Sequence, residues 1–159
     1  MILYHGSNMS IDAIDLHRGR RGKDFGQGFY LTAVQMDAVE MAKTAVQRDM
    51  SGVPTLNVFD FDESAMSCDS LKVKTFDGYS LEWARFVNAN RSNRSEVPVH
   101  DYDIVYGPIA DDRIGLQMWR MAQGFIDETQ FAKEIEFIRP TFQYFFGTEK
   151  ALAYLKKHE

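Results

Sequence analysis

The chain has 159 residues, of which 23 are acidic and 18 are basic, so its formal net charge is −5 at neutral pH. This acidity argues against a broad nucleic-acid-binding surface, because neutralising a phosphate backbone requires clustered Lys and Arg. Hydrophobic residues make up 45% of the chain, enough to bury a core, and we predict a single domain over residues 1–159.

The distribution of cysteine, histidine and apolar residues is typical of a cytoplasmic protein without a metal. The single Cys68 cannot form an internal disulfide and fits a reducing compartment. The four histidines are too scattered for a structural zinc site, so we expect no metal. The chain begins directly with a predicted strand rather than a signal peptide, and it contains no long apolar run. We therefore expect a cytoplasmic protein with no membrane association.

The predicted elements mix strands and helices. Strands are predicted over residues 2–6, 25–32, 55–61, 71–76, 102–109 and 142–146. Helices are predicted to begin at the N-caps Thr32, Ser80, Asp112 and Thr148, the last of them reaching Leu155, with a further helical piece around Phe131 and Ile135 and a polar loop over 88–96. Strands and helices do not alternate regularly as they do in a parallel sheet, which favours the α+β class.

The helix after the second strand has the clearest pattern. Thr32 and Gln35 have the spacing of a capping box. One stripe at helical spacing is formed by Val34, Ala38, Met41, Ala42 and Ala45. This stripe predicts an amphipathic helix.

Two segments near the start of the chain place a ring beside glycines. They are residues 3–7 (LYHGS) and residues 24–32 (DFGQGFYLT). Glycines allow another backbone or a ligand to come close, so His5 and Tyr30 can hold a flat heterocycle and its ribose between the two strands. Because strand side chains alternate, one of Phe29 and Tyr30 must face the core, which leaves the other free for a ligand.

Both segments resemble motifs of a known enzyme family. Residues 5–7 (HGS) resemble the His-Gly-Ser/Thr step on the first strand of ADP-ribosyltransferases of the diphtheria-toxin and poly(ADP-ribose) polymerase type. Residues 26–32 (GQGFYLT) resemble the Gly-x-Gly strand of those enzymes, which ends in Tyr-Phe-Ala. The chain as a whole resembles small bacterial domains grouped with that fold, through residues 24–26, 57–62 and 103–112.

The resemblance implies a fold, an activity and a partner. The fold is ADP-ribosyltransferase-like, with two packed, mostly antiparallel sheets and peripheral helices. The activity is transfer of ADP-ribose from NAD, which is the substrate, to a macromolecular acceptor with release of nicotinamide. Members of this bacterial family resemble toxins or effectors, some of them found beside a small antitoxin. The resemblance therefore also implies a toxin role and a small antitoxin partner.

The resemblance implies roles for residues of the two motifs. His5 matches the histidine that bonds the adenine-side ribose, while Gly6 and Ser7 present backbone and hydroxyl groups to the nicotinamide carboxamide. Tyr30, on the cofactor-binding strand that contains Gly28, stacks on the nicotinamide ring. For both His5 and Tyr30 the alternative is an ordinary buried core residue.

Two further binding elements follow from the same resemblance. Met41 lies where many polymerase-type relatives have a second stacking Tyr, and Met stacks less specifically. The basic segment 18–23, with Arg21 and Lys23, lies between the two motifs, where the NAD diphosphate requires cations. The alternative for this segment is a solvated loop. Asp24 is expected to hold one of these cations or to fix the turn.

The catalytic Glu of the family pattern is replaced. The best match is Gln143, which can orient a ribose hydroxyl but offers no negative charge to an oxocarbenium ion. The alternative is an edge-strand Gln that faces water. Asp103 is a rival, but the register of its strand places Tyr102 at the matching site. The candidate catalytic residues are therefore His5, Tyr30 and Gln143.

Two alternatives to a transferase remain open. The first is a binding module that kept the pocket for NAD or ADP-ribose and lost catalysis, which the Gln at position 143 favours. The second is RNA chemistry of the 2′-phosphotransferase type on the same fold. The net acidity of the chain argues against a large RNA footprint.

Overall fold

A computed structural model describes residues 1–159, which form seven strands and five α-helices. The strands are β1 (Ile2–Ser7), β2 (Phe29–Leu31), β3 (Thr55–Phe61), β4 (Val73–Thr75), β5 (Ile104–Pro108), β6 (Phe142–Phe146) and β7 (Leu155–Lys157). The helices are α1 (Gln35–Asp49), α2 (Leu81–Ser92), α3 (Asp112–Ala122), α4 (Glu128–Ile135) and α5 (Glu149–Leu152). None of these helices combines the length and the apolar character needed to cross a membrane.

The strands form two sheets, which we call the N-terminal sheet and the central sheet. The N-terminal sheet has the order β1-β3-β7, with all neighbours antiparallel. The central sheet has the order β2-β6-β5-β4, in which β4 and β5 are the parallel pair. The sheets are joined where Tyr4 and Thr32 exchange backbone hydrogen bonds of 2.8 and 2.9 Å. The predicted α+β class, with two mostly antiparallel sheets, is confirmed.

Two apolar cores stack these elements into layers. The core between the sheets receives side chains from both of them, such as Leu3 from β1 and Phe146 from β6. The second core lies on the other face of the central sheet, where Tyr30 and Phe145 pack against α2, α3 and α4. Because side chains alternate along a strand, neighbouring residues of β2 and β6 enter different cores.

Several predicted N-caps are in place. Ser80 Oγ accepts a hydrogen bond from the Trp83 amide at 3.1 Å, so α2 begins as predicted, and Thr148 caps α5. The N-cap of α3 is Asp111 rather than Asp112, because the Asp111 carboxylate accepts the first free amides of that helix. Short polar side chains at these positions satisfy amides that have no partner inside the helix.

The capping box predicted for Thr32 and Gln35 is wrong. The helix α1 begins at Gln35 with Val34 as its N-cap, and no side chain caps it. Thr32 Oγ1 instead accepts a hydrogen bond from the Val34 amide at 3.1 Å. The backbone bridge between Thr32 and Tyr4 explains the difference, because it holds Thr32 in an extended conformation three residues before the helix.

Other boundaries also differ from the prediction, and the strands predicted over 71–76 and 102–109 are shortened to Val73–Thr75 and Ile104–Pro108. The second strand covers only residues 29–31, because Gly26 has a φ of +100° and turns the chain after Phe25. The helix α2 extends to Ser92, into the predicted loop, and its buried Asn90 donates to the Phe86 carbonyl at 2.8 Å. Leu155 lies in β7 rather than in the last helix. Pairing of β7 with β3 creates this strand, and its three residues carry no sequence signal of their own.

The predicted stripe of α1 is buried only where it is made of alanines. Ala38, Ala42 and Ala45 are buried, while Val34 and Met41 are exposed. These small side chains let α1 lie close to β1.

Gly6 is the point of closest approach between α1 and β1. A Cβ built on Gly6 would collide with the Ala38 carbonyl oxygen and would lie 2.6 Å from the Ala42 backbone nitrogen. Only a residue without a side chain fits there, so packing against a helix is sufficient reason for this glycine.

We expect Gly6→Ala to lower the free energy of unfolding by at least about 3 kcal/mol, because the added methyl meets backbone atoms that cannot move without displacing the helix. Gly78→Ala is the matched control, since a Cβ on Gly78 meets no atom within 4 Å. The control is expected to be neutral or slightly stabilising. Urea unfolding followed by circular dichroism measures both. Equal stabilities for the two variants would contradict the packing argument.

Candidate functional site

A cleft of about 420 Å³ opens where the end of β1 meets β2 and α1, and we call it the His5 cleft. Its volume is within the range of small-molecule sites. It gathers most of the residues predicted to bind a ligand: His5, Gly6, Ser7, Lys23, Gly28, Tyr30 and Met41. The loop 8–15 forms one wall, and buried Asn57 holds it through hydrogen bonds to the Ile11 amide (2.8 Å) and the Met9 carbonyl (3.1 Å).

His5 is a neutral imidazole in which one ring nitrogen is hydrogen-bonded within the protein and the other has no partner there. Its Nδ1 lies 2.7 Å from the Tyr30 carbonyl oxygen, which can only accept, so Nδ1 carries the proton and Nε2 is an acceptor. The ring stacks on Phe29 at 4.4 Å between centroids. Burial lowers the pKa of His5 from 6.5 to about 4, and the nearby positive charge of Lys23 acts in the same direction. The site therefore offers an uncharged hydrogen-bond acceptor.

Tyr30 is part of the core rather than a free ring. Its side chain is only 4% exposed, and its hydroxyl donates to the Gly26 carbonyl (2.7 Å) and accepts from the Phe25 amide (3.0 Å). The prediction that one of Phe29 and Tyr30 would be free is wrong, because the two rings enter the two different cores. What reaches the cleft side of the Tyr30 ring is the Lys23 ammonium, 4.3 Å from the ring centroid.

Four basic side chains converge on the cleft: Arg18, Arg20, Lys23 and Arg48. Burial lowers the pKa of Lys23 from 10.5 to about 8, and the like charge of Arg20 adds to this effect. Arg48 was missed by the sequence analysis. It follows Met41 by seven residues and Ala45 by three, which places all three on one face of α1. That spacing is the signal that identifies it.

Arg21 is not brought to the His5 cleft. Its guanidinium lies 3.3 Å from the Glu96 carboxylate, at a second cleft of about 660 Å³. The segment 18–28 separates the two clefts, with Arg20 and Lys23 on one side and Arg21 on the other. The chain bends over residues 21–23, where Gly22 has a φ of +75°, which is why Arg21 and Lys23 have different surroundings although they are only two positions apart.

Gln143 also lies outside the His5 cleft. It is buried in β6, which is an interior strand and not an edge, so the water-facing alternative is wrong as well. Its Nε2 donates to Asp24 Oδ2 at 3.0 Å. The same carboxylate group accepts from Arg91 Nε (2.8 Å) and from the Ala110 amide (3.0 Å). Gln143 thus helps to hold Asp24, and Asp24 anchors the segment between the two clefts.

The other candidates have packing or structural partners. A Cβ on Gly28 would collide with the Phe145 ring, so packing within the central sheet accounts for this glycine. Ser7 Oγ lies 3.5 Å from Asn8 Oδ1, at the rim of the cleft. The rival carboxylate Asp103 is buried and accepts from the Lys72 amide (2.7 Å) and from Thr148 Oγ1 (2.5 Å).

Comparison with known proteins identifies the family. Residues 1–157 match the sequence model of a family described as "Protein of unknown function (DUF3990)", and the chain belongs to this family. No curated protein and no solved structure matches the chain.

Because the folded protein keeps His5 neutral, stability should fall with pH in a defined window. The unfolded chain binds the proton near pH 6.5 and the folded chain only near pH 4, so stability is lost as the pH falls between these values. The loss should reach about 3 kcal/mol relative to His5→Asn, which cannot titrate. Unfolding free energies of both proteins across this range test the expectation. Parallel curves would show that His5 is not desolvated.

Replacing Gln143 by Glu, the residue expected from the resemblance to ADP-ribosyltransferases, should destabilise the protein. Gln143→Glu sets a second carboxylate against Asp24, so we expect a loss of about 2 kcal/mol at neutral pH. The loss should shrink as the pH falls and the new carboxyl becomes protonated. Gln143→Met, which removes the hydrogen bond without adding charge, should cost about 1 kcal/mol without that pH dependence. Denaturant unfolding at several pH values distinguishes the two variants.

Proposed function

We propose that the protein is an NAD-dependent ADP-ribosyltransferase that binds NAD in the His5 cleft and transfers ADP-ribose to a macromolecular acceptor. The observation that carries the proposal is that one cleft collects a neutral imidazole acceptor and four basic side chains, one of which, Lys23, covers the ring of Tyr30. These groups match the ribose, the nicotinamide ring and the diphosphate of NAD. The two mostly antiparallel sheets, with His5 and Tyr30 on strands that meet, support an ADP-ribosyltransferase-like fold.

The imidazole is suited to a ribose hydroxyl. Nε2 of His5 has no partner within the chain and carries no proton, so it accepts a hydrogen bond from a hydroxyl group. The Nδ1 hydrogen bond to the Tyr30 carbonyl fixes the tautomer and the orientation of the ring. The acceptor is therefore positioned before the ligand arrives, which lowers the entropy cost of binding.

The cations are suited to a diphosphate. Arg18, Arg20 and Lys23 line the cleft from the segment before β2, and Arg48, which is paired with Asp49, approaches from α1. Charge-assisted hydrogen bonds from such groups to phosphate oxygens are about twice as strong as neutral ones. Because the whole chain is acidic, this local concentration of positive charge favours an anionic ligand at this place over others.

The proposed reaction breaks one glycosidic bond. The bond between ribose C1′ and the nicotinamide nitrogen breaks, and the nitrogen keeps the electron pair, so nicotinamide leaves as a neutral molecule. The remaining ribose is an oxocarbenium ion, as in other glycosyl transfers. The acceptor's nucleophile bonds to C1′ and releases its proton to solvent. Holding the dinucleotide by its ribose, ring and diphosphate supplies the orientation that this step requires.

A second candidate is a module that binds NAD or ADP-ribose without turnover. The carboxylates at the cleft favour it, because each has a partner already: Asp12 is paired with Lys157, Asp49 is paired with Arg48, and Asp15 accepts from the His17 amide. A carboxylate free to stabilise an oxocarbenium ion contributes strongly to catalysis. With the carboxylates engaged and Gln143 elsewhere, slow turnover or binding alone is the competing expectation.

The acceptor and the biological role belong to the same proposal. Resemblance to small bacterial toxins supports a macromolecular acceptor in the bacterial cell and control by a small antitoxin protein. The net charge of −5 favours a protein acceptor over a long nucleic acid.

The test is incubation of the purified protein with NAD labelled in its adenylate part and a bacterial lysate. We expect label in macromolecules together with free nicotinamide, and a loss of at least about tenfold in His5→Asn, which keeps a donor for the Tyr30 carbonyl but lacks the Nε2 acceptor. His158→Ala is the matched control, since His158 pairs with Asp60 outside the cleft.

The outcomes separate the candidates. Label that depends on His5 and resists nuclease but not protease supports transfer to protein. Nicotinamide release without labelled macromolecules identifies hydrolysis of NAD instead of transfer. NAD binding without nicotinamide release establishes the binding module, and absence of both rejects the proposal.

A further inference from the structure

The Lys23 ammonium occupies the face of Tyr30 that a ligand ring would need. It lies 4.3 Å from the ring centroid, within the range of a cation–π contact. The rest of the Tyr30 ring is covered by Phe145 at 5.2 Å and Phe25 at 6.4 Å between centroids. Phe25 and Phe145 line the second cleft, so Lys23 is the group that covers Tyr30 on the side of the His5 cleft. A flat ring can stack on Tyr30 only after the ammonium has left.

We infer that Lys23 is a specificity-determining residue. Its ammonium blocks ligands that lack an anionic group from stacking on the Tyr30 ring, and it moves away from the ring when a diphosphate enters the same cleft. The inference rests on the proposed function for the identity of the natural ligand. The blocking of the Tyr30 ring by Lys23 does not depend on that identity and can be measured with fragments of a dinucleotide.

The surroundings of Lys23 favour such a movement. The neighbouring carboxylate of Asp24 is engaged by Arg91 at 2.7 Å and does not hold the ammonium. Arg20 and Arg48 repel it, and its pKa is lowered to about 8 by burial and by these like charges. A Lys side chain reorients easily because its charge lies at the end of a flexible four-carbon stem. An anion between Lys23, Arg20 and Arg48 would therefore attract the ammonium away from the ring.

This arrangement couples the two halves of a dinucleotide. The diphosphate draws Lys23 off Tyr30, and the nicotinamide ring then takes its place and is itself cationic, so the cation–π contact is restored. A ligand ring without a diphosphate must displace the ammonium from Tyr30 although the ligand offers no anion to bind the displaced ammonium. A diphosphate without such a ring gains an ion pair with Lys23. Removal of Lys23 should therefore change the affinities of the two kinds of fragment in opposite directions.

The experiment uses two probes and three variants. N-methylnicotinamide, here the compound methylated on the pyridine nitrogen (1-methylnicotinamide), is a cationic ring without phosphate, and ADP-ribose carries the diphosphate without that ring. Lys23→Ala and Lys23→Met should each bind N-methylnicotinamide at least about threefold more tightly than wild type, and ADP-ribose about tenfold more weakly. Arg18→Ala is the control: it removes from the cleft a cation that has no ion pair and does not contact the Tyr30 ring, so it should weaken binding of ADP-ribose alone. Ligand-observed NMR titration measures each affinity.

A pH series gives a second measurement on the wild-type protein. As the pH rises through about 8, Lys23 loses its proton, its attraction to the ring and its repulsion of a cationic probe. The charged groups around it are Arg20, Arg48 and Asp24, while His5 and Tyr30 are neutral in this range. Affinity for N-methylnicotinamide should increase through this pH in wild type and stay constant in Lys23→Met.

The two proposals fail in different ways. Unchanged affinity for N-methylnicotinamide in both Lys23 variants overturns the inference, whether or not the protein transfers ADP-ribose. Tighter binding of that probe also in Arg18→Ala overturns it, because the effect would then be general to positive charge. Opposite effects of the Lys23 variants on the two probes establish that Lys23 blocks the Tyr30 ring, even if the lysate experiment yields no transfer.

Discussion

Both clefts depend on the hydrogen bonds of the Asp24 carboxylate, whose side chain is 12% exposed. It ties the segment before β2 to α2 through Arg91 and to β6 through Gln143. This segment has no regular secondary structure, and fixing it costs conformational entropy that charge-assisted hydrogen bonds offset. On one side of Asp24, Lys23 enters the His5 cleft, and on the other side Phe25 enters the core under α2. One anchored residue thus orients both a ligand-facing cation and a core aromatic.

The cleft concentrates positive charge in an acidic protein. The net charge of −5 describes the whole surface, whereas four basic side chains meet at the His5 cleft. Three of them, Arg18, Arg20 and Lys23, come from the anchored segment, and Arg48 comes from α1. Of the carboxylates in the same cleft, Asp49 is paired with Arg48 and Asp12 with Lys157, which leaves Arg18, Arg20 and Lys23 for an anionic ligand. The folded state therefore pre-organises the cleft for an anion.

Tyr30 serves the core and the site at once. Its hydroxyl fixes the turn around Gly26, and its ring packs on Phe145 in the core under the helices. A ring held on this many sides cannot rotate away, so its cleft-facing side is rigid. The consequence is that loss of Tyr30 would disturb fold and site together, whereas the side chains that reach the ring from the cleft, above all Lys23, can be changed separately.

The sequence by itself determined the elements whose signal is local. The strands 55–61 and 142–146 occur as predicted, because alternation and β-branched or aromatic residues act within each strand. Ser80 begins α2 because a short hydroxyl side chain caps the amides that follow it. The grouping of His5 with Tyr30 was also predicted, and in the structure the bridge between Tyr4 and Thr32 brings the two segments together.

Only the tertiary structure decided which polar residues reach the cleft. Gln143 and Asp24 are 119 residues apart, and nothing local distinguishes a Gln that holds a carboxylate from one that faces a ligand. Arg21 and Lys23 differ by two positions, yet the path of the anchored segment sends them to different clefts. Strand β7 exists because β3 offers it a free edge. The physical reason is common to these cases: local sequence sets backbone preference, whereas the partner of a buried polar group depends on long-range packing.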